Sequence, residues 1–143
     1  MSAEKLLVQS ERWFATAQDD FQTAEILLKN GKFAQCCFYS QQAGEKALKA
    51  VYYRFDEEPW GHSLVKLAKE LTVDEGLVRE LSELSRELRE LDRYYIPTRY
   101  PDGLPGTIPA EAYGTSDAES AIIAADRILS FARNRVLSNR GKL

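Results

Sequence analysis

The residues best suited to chemistry lie in one stretch, Tyr94-Tyr95-Ile96-Pro97-Thr98-Arg99-Tyr100-Pro101-Asp102. Arg99 offers a planar fork of donors that matches phosphate or carboxylate. Tyr95 and Tyr100 offer ring faces on which a base can stack, each with a hydroxyl. Together with Asp102, these side chains suit a nucleotide or a single RNA strand. A structural reading of the same stretch pairs Arg99 with Asp102, or with an acid on a helix, and so pins a proline-rich loop.

A second polar set, Gln41, Gln42, Glu45, Lys46 and Lys49, is spaced along one helix. Glu45 and Lys49 are four apart, in the favourable order for a helix ion pair. This set is an ordinary solvated face, unless the Arg99 loop folds over it. In that case Lys46 and Lys49 add positive charge to one pocket. His62 is the only histidine, and histidine is the side-chain type that changes charge near neutral pH. It is either a base or a packing residue just ahead of a helix. Asp19 and Asp20 fall in mid-helix, and one of them must lie beside the apolar stripe. That carboxylate needs a partner, which Arg99 or a lysine of the next helix could supply.

Other chemistries find no support. No Gly-Lys-Ser/Thr phosphate loop and no Gly-x-Gly-x-x-Gly occurs. One histidine beside Cys36-Cys37 makes no zinc site, so no metal and no cofactor is expected. Adjacent cysteines on a helix diverge by about 100°. They read as small buried hydrophobes in a reduced compartment rather than a disulfide or a nucleophile.

The elements that must position these groups are helices. Trp13, Ala17, Phe21, Ala24 and Leu28 form one stripe, on a helix from about Val8 to Lys29 that Asn30-Gly31 ends. Phe33, Cys37, Ser40, Gly44, Ala47 and Val51 share the mostly small face of the next helix. Small residues allow close approach, which marks it as the central helix of a bundle. A short helix follows over Ser63–Leu71. Leu77, Leu81, Leu84, Leu88 and Leu91 give a longer leucine seam, and a last helix starts near Ser116 or Asp117. The expected fold is therefore all-α, an up-and-down antiparallel bundle of four long helices plus one short one. With 143 residues and a net charge of −3, the chain suits one domain over 1–143, with its core at about 8–138. The acidic balance argues against a broadly basic nucleic-acid surface. Arg133, Arg135, Arg140 and Lys142 form the densest cationic segment, which at a helix C-terminus also favours the macrodipole. No signal peptide or membrane span is legible, and a cytoplasmic protein is expected. Trp13, Trp60, Tyr52 and Tyr53 are candidate anchors for a two-fold homodimer.

The ordered set of motifs resembles the HEPN domain family. Trp13, Ala17, Asp20 and Phe21 look like its first-helix signature, and Gln41-Gln42-Ala43-Gly44-Glu45-Lys46-Ala47-Leu48-Lys49-Ala50 like its central-helix signature. Gly61-His62-Ser63-Leu64 and Arg99-Tyr100-Pro101-Asp102 match two further motifs in the same order. The resemblance implies a helical bundle, commonly a homodimer, often paired with a small nucleotidyltransferase as a toxin–antitoxin couple. It also implies a nucleotide-binding role, here for Arg99, Tyr100, Asp102, Lys46, Lys49 and Tyr95. Many relatives are metal-independent RNases that use an Arg followed after a short spacer by a His. No histidine follows Arg99 in this chain. The sequence thus favours a binding and interaction module. An RNase site built from Arg99, His62 and Tyr95 is the alternative, and a purely structural bundle the third reading.

Overall fold

The computed structural model describes residues 2–137, which are built of helices with no strand among them. Helix α1 spans Ala3–Lys29, starting earlier than the apolar stripe predicts because Ser2 Oγ accepts from the Lys5 amide at 3.2 Å. It stops where Gly31 takes φ +74°. Helix α2 spans Phe33–Arg54. Early residues of α1 meet late residues of α2: the Ser10 hydroxyl donates to Ala50 O, Trp13 stacks on Tyr53, and Asp20 pairs with Lys46. That register makes the two an antiparallel hairpin. Helices α3 (Leu64–Glu70), α4 (Glu75–Glu83), α5 (Ser85–Asp92), α6 (Pro109–Ala112) and α7 (Thr115–Leu137) complete the bundle.

Helix α2 is central, packing against α1, α3, α5, α6 and α7. Its small face has the expected purpose. A Cβ on Gly44 would sit 2.7 Å from Leu64 Cδ2 and 2.9 Å from Leu91 Cδ1, so the glycine sets how closely α3 and α5 approach. Cys36 and Cys37 are free and fully buried on α2. Burial pushes the Cys36 thiol up to about 11 and raises Cys37 further.

The leucine seam departs from one continuous helix. It breaks at Leu84 (φ −95°, ψ 9°), whose amide bonds back to Leu81 O. Ser82 Oγ donates to Arg79 O at 2.7 Å, and such a local side-chain bond to the backbone competes with the helix ladder. Leu77, Leu81, Leu88 and Leu91 still point inward. The 94–109 segment is also more ordered than a plain loop, with a 3-10 turn at Pro101–Gly103 and then α6.

One dimer-anchor expectation changes. Tyr52 is buried and donates to Leu67 O at 2.6 Å, so it belongs to the core. Trp13 and Tyr53 stack on each other at 5.7 Å, while Trp60 stands 72% exposed. Arg135 pairs with Glu80 and Arg133 lies over the Phe14 ring. Arg140, Lys142 and position 138 fall outside the described residues. Among the described residues, no helix is long and apolar enough to cross a membrane.

Candidate functional site

The site is assembled where α3 begins and α5 ends. Asp92, the last residue of α5, accepts from Ser63 Oγ at 2.8 Å and from the Leu64 and Val65 amides at 2.6 and 3.1 Å. A carboxylate thereby caps the free N–H groups of α3 from another helix. Ser63 itself caps Lys66 N at 3.1 Å, as its position before the helix predicts. His62 is held immediately ahead of this double cap, and Gln41 Nε2 donates to its carbonyl at 3.2 Å.

The His62 ring has two neighbours. Its Nδ1 lies 3.2 Å from Glu45 Oε2. Its face stacks on Tyr95, with centroids 4.7 Å apart at 21°. Glu45 is buried, its side chain 5% exposed, and also accepts from Lys49 Nζ at 3.0 Å and from Gln41 Nε2 at 3.0 Å. A carboxylate ringed by donors can only accept, so the His62 nitrogen facing it carries the proton. In the neutral ring that tautomer leaves the lone pair on Nε2, and the ring side chain is 56% exposed.

Arg99 lies one turn beyond Tyr95. Its Nε donates to Tyr95 O at 2.8 Å. Its guanidinium carbon is 4.6 Å from the Tyr95 ring, 4.5 Å from Phe38 and 5.1 Å from Tyr100. Imidazole and guanidinium therefore lean on the same Tyr95 ring. The loop is pinned by other residues: buried Thr98 donates to Tyr94 O, and Tyr94 donates to Glu90 Oε2 at 3.0 Å.

His62, Tyr95, Arg99 and Tyr100 thus come together, and Lys49 joins them through Glu45. Lys46 does not, because its ammonium is 2.6 Å from Asp20 Oδ2, the partner that the mid-helix aspartate required. Asp102 does not join either. It is exposed on the 3-10 turn, and Arg99 takes aromatic faces rather than an acid. The solvated-face reading of α2 is corrected too, since Gln41 and Glu45 are buried. Sequence reasoning missed three participants: Phe38, Glu45 in its role behind His62, and Asp92. Phe38, Gln41, Glu45 and Lys49 step by three and four along one stripe, a signal that could have exposed the first two. Asp92 gave no local signal, because the helix it caps starts 28 residues away. Among the described residues, no group of three or more His, Cys, Asp or Glu side chains is placed to hold a metal ion.

A HEPN domain family model matches residues 10–135. A Methanocaldococcus jannaschii protein named "Putative toxin MJ1304" is 27% identical over 119 residues, covering 79% of this chain and 78% of its own length. The crystal structure of TT1696 from Thermus thermophilus shares 34% identity over 89% of this chain and 98% of its own, with a TM-score of 0.80. ST0689, described as an archaeal HEPN homologue, shares 31% identity over 89% of this chain and 97% of its own, with a TM-score of 0.73. A HEPN domain protein from Thermotoga maritima shares 31% identity at a TM-score of 0.60, covering 86% of this chain and 95% of its own.

Proposed function

The chain belongs to the HEPN domain family, and from that premise we propose that its His62 and Arg99 side chains bind the phosphodiester of single-stranded RNA and cleave it. One observation carries this reading: His62 and Arg99 share the Tyr95 ring, with the buried Glu45 carboxylate behind His62. The linear order lacks an Arg-spacer-His motif, yet the fold supplies both groups in reverse order. His62 Nε2 takes the proton of the ribose 2′-hydroxyl as that oxygen bonds to phosphorus. Arg99 neutralises charge on the non-bridging oxygens. The bond from phosphorus to the 5′-oxygen breaks, and the proton passes from His62 to that oxygen. The products are a 2′,3′-cyclic phosphate and a 5′-hydroxyl. Incubation of end-labelled RNA with the purified chain and a metal chelator tests this. Parent protein should yield cyclic-phosphate ends, and His62→Ala and Arg99→Ala should not. Intact RNA with the parent overturns the reading.

The reading includes partners. The HEPN resemblance implies a homodimer and a small nucleotidyltransferase that restrains the module, and the toxin-named relative supports the toxin half of that pair. Co-expression and pull-down with the nucleotidyltransferase should recover a complex. Separate elution of the two proteins counts against the pairing.

A further inference from the structure

The polar stripe of α2 extends beyond its contact with His62. Lys49 Nζ lies 3.0 Å from Glu45 Oε2 and 5.7 Å from the centre of the Trp13 ring. One side chain thus touches both the acid behind His62 and an indole on α1. Trp13 lines a surface pocket of about 350 Å³ with Gln9, Arg12, Thr16 and Lys46. We propose that this pocket is a second subsite for the same RNA strand, holding a nucleotide beyond the two that the scissile phosphate joins. The proposal rests on the reading of His62 and Arg99 as an RNA site.

The side chains suit that ligand. Lys46 is engaged by Asp20 at 2.6 Å, whereas Arg12 is exposed and meets the neutral Gln9 amide oxygen at 3.5 Å. Arg12 is therefore the group positioned to take a phosphate. Trp13 is braced on Tyr53 at 5.7 Å and 24°, so the wall offered to a base is held in place before binding. Cations beside an immobilised aromatic are the composition that binds single strands without regard to sequence.

The test compares cleavage of a dinucleotide with cleavage of an RNA of about ten nucleotides, long enough to span both sites. Arg12→Gln should raise KM for the long RNA several-fold, with little change in kcat, and so lower the ratio of kcat/KM values, long over dinucleotide. It should also flatten the salt dependence of long-RNA binding by about 0.7 in log–log slope, one phosphate contact. Trp13→Phe, which keeps the packing on Tyr53, should shift the ratio the same way. Lys29→Gln, at the far end of α1, should leave it at the parent value. If Arg12→Gln and Trp13→Phe both keep the parent ratio while both substrates are cut, the second subsite is refuted and the His62 reading stands. If the parent cuts neither substrate, the His62 reading fails and takes the subsite with it.

Discussion

Replacing Glu45 by glutamine perturbs the site with almost no change in volume. The carboxylate holds His62 Nδ1 at 3.2 Å and Lys49 Nζ at 3.0 Å on one oxygen, and Gln41 Nε2 at 3.0 Å on the other. An amide cannot satisfy all three donors. With its NH2 toward His62 it forces the proton onto Nε2, so the exposed nitrogen is no longer a base. With its NH2 toward Gln41 it demands that Gln41 flip, which breaks the 2.8 Å bond from Gln42 to Gln41 Oε1. In either arrangement the charge that steadies an imidazolium is gone. At 3.2 Å and an effective dielectric of ~20, that attraction is about 5 kcal/mol before screening. The His62 side chain is more than half exposed, so about 2–3 kcal/mol is a fair discounted value. At 1.36 kcal/mol per tenfold, kcat should fall about a hundredfold, within the range for general-base chemistry. KM should hardly move, since Arg99 and the rings are untouched. The assay is steady-state cleavage of a labelled oligonucleotide, with circular dichroism to check folding. A folded Glu45→Gln protein that cuts within about threefold of the parent, while His62→Ala is dead, would refute the tautomer argument.

Three further outcomes follow from the same geometry. Arg99→Lys keeps the charge but loses the planar fork that stacks on Phe38, Tyr95 and Tyr100, so kcat/KM should fall at least about tenfold, measured on the same oligonucleotide. Asp92→Ala removes three hydrogen bonds from the start of α3. It should cost about 2 kcal/mol in urea denaturation and impair cleavage as His62 loosens. At alkaline pH the sign comes from burial, which raises the Cys36 thiol from 9.0 to about 11 and the Tyr52 hydroxyl from 10.0 to about 12. Both groups ionise more easily once unfolded, so their stabilisation is complete below about pH 9 and is lost as pH rises through 11 and 12. Thermal melts from neutral to alkaline pH should show that decline, and thiol reagents should label the folded chain far more slowly than the denatured one.

The fold was legible because helix periodicity is local. The stripe on α1, the small face of α2 and the leucines of α4 and α5 each declare their buried side within a few turns. The break at Leu84 was not legible, because Ser82 suits a helix as well as a kink and tertiary packing decides. At the site, spacing identified Arg99, Tyr95 and Tyr100 as one group, and His62 as the available base. It grouped Lys46 and Asp102 with them, whereas Lys46 meets Asp20 and Asp102 is exposed on the 3-10 turn. Lys46 and Lys49 are three apart, yet one turns to Asp20 on α1 and the other to Glu45. Asp102 lies three residues from Arg99, but the rings of Phe38, Tyr95 and Tyr100 hold the exposed guanidinium instead.

The packing face and the polar stripe of α2 work as one device. Gly44 sets the approach of Leu64 and Leu91. Leu64 is two residues after His62, and Leu91 adjoins Asp92, whose carboxylate caps the helix that follows His62. Glu45, the next residue after Gly44, meets the His62 ring. The distance between acid and base is therefore fixed by a core contact rather than by the surface loop. Tyr95 and Arg99 follow directly from the end of α5, so the same contact also fixes where the guanidinium hangs. A constellation drawn from three separate chain segments needs such a common datum, since each segment alone has too few bonds to define its position. On the proposed RNase reading, this is how the chain would dispense with a contiguous Arg-spacer-His motif. Once α3 and α5 are both referenced to Gly44, the order in which His62 and Arg99 occur along the chain no longer constrains their meeting on Tyr95.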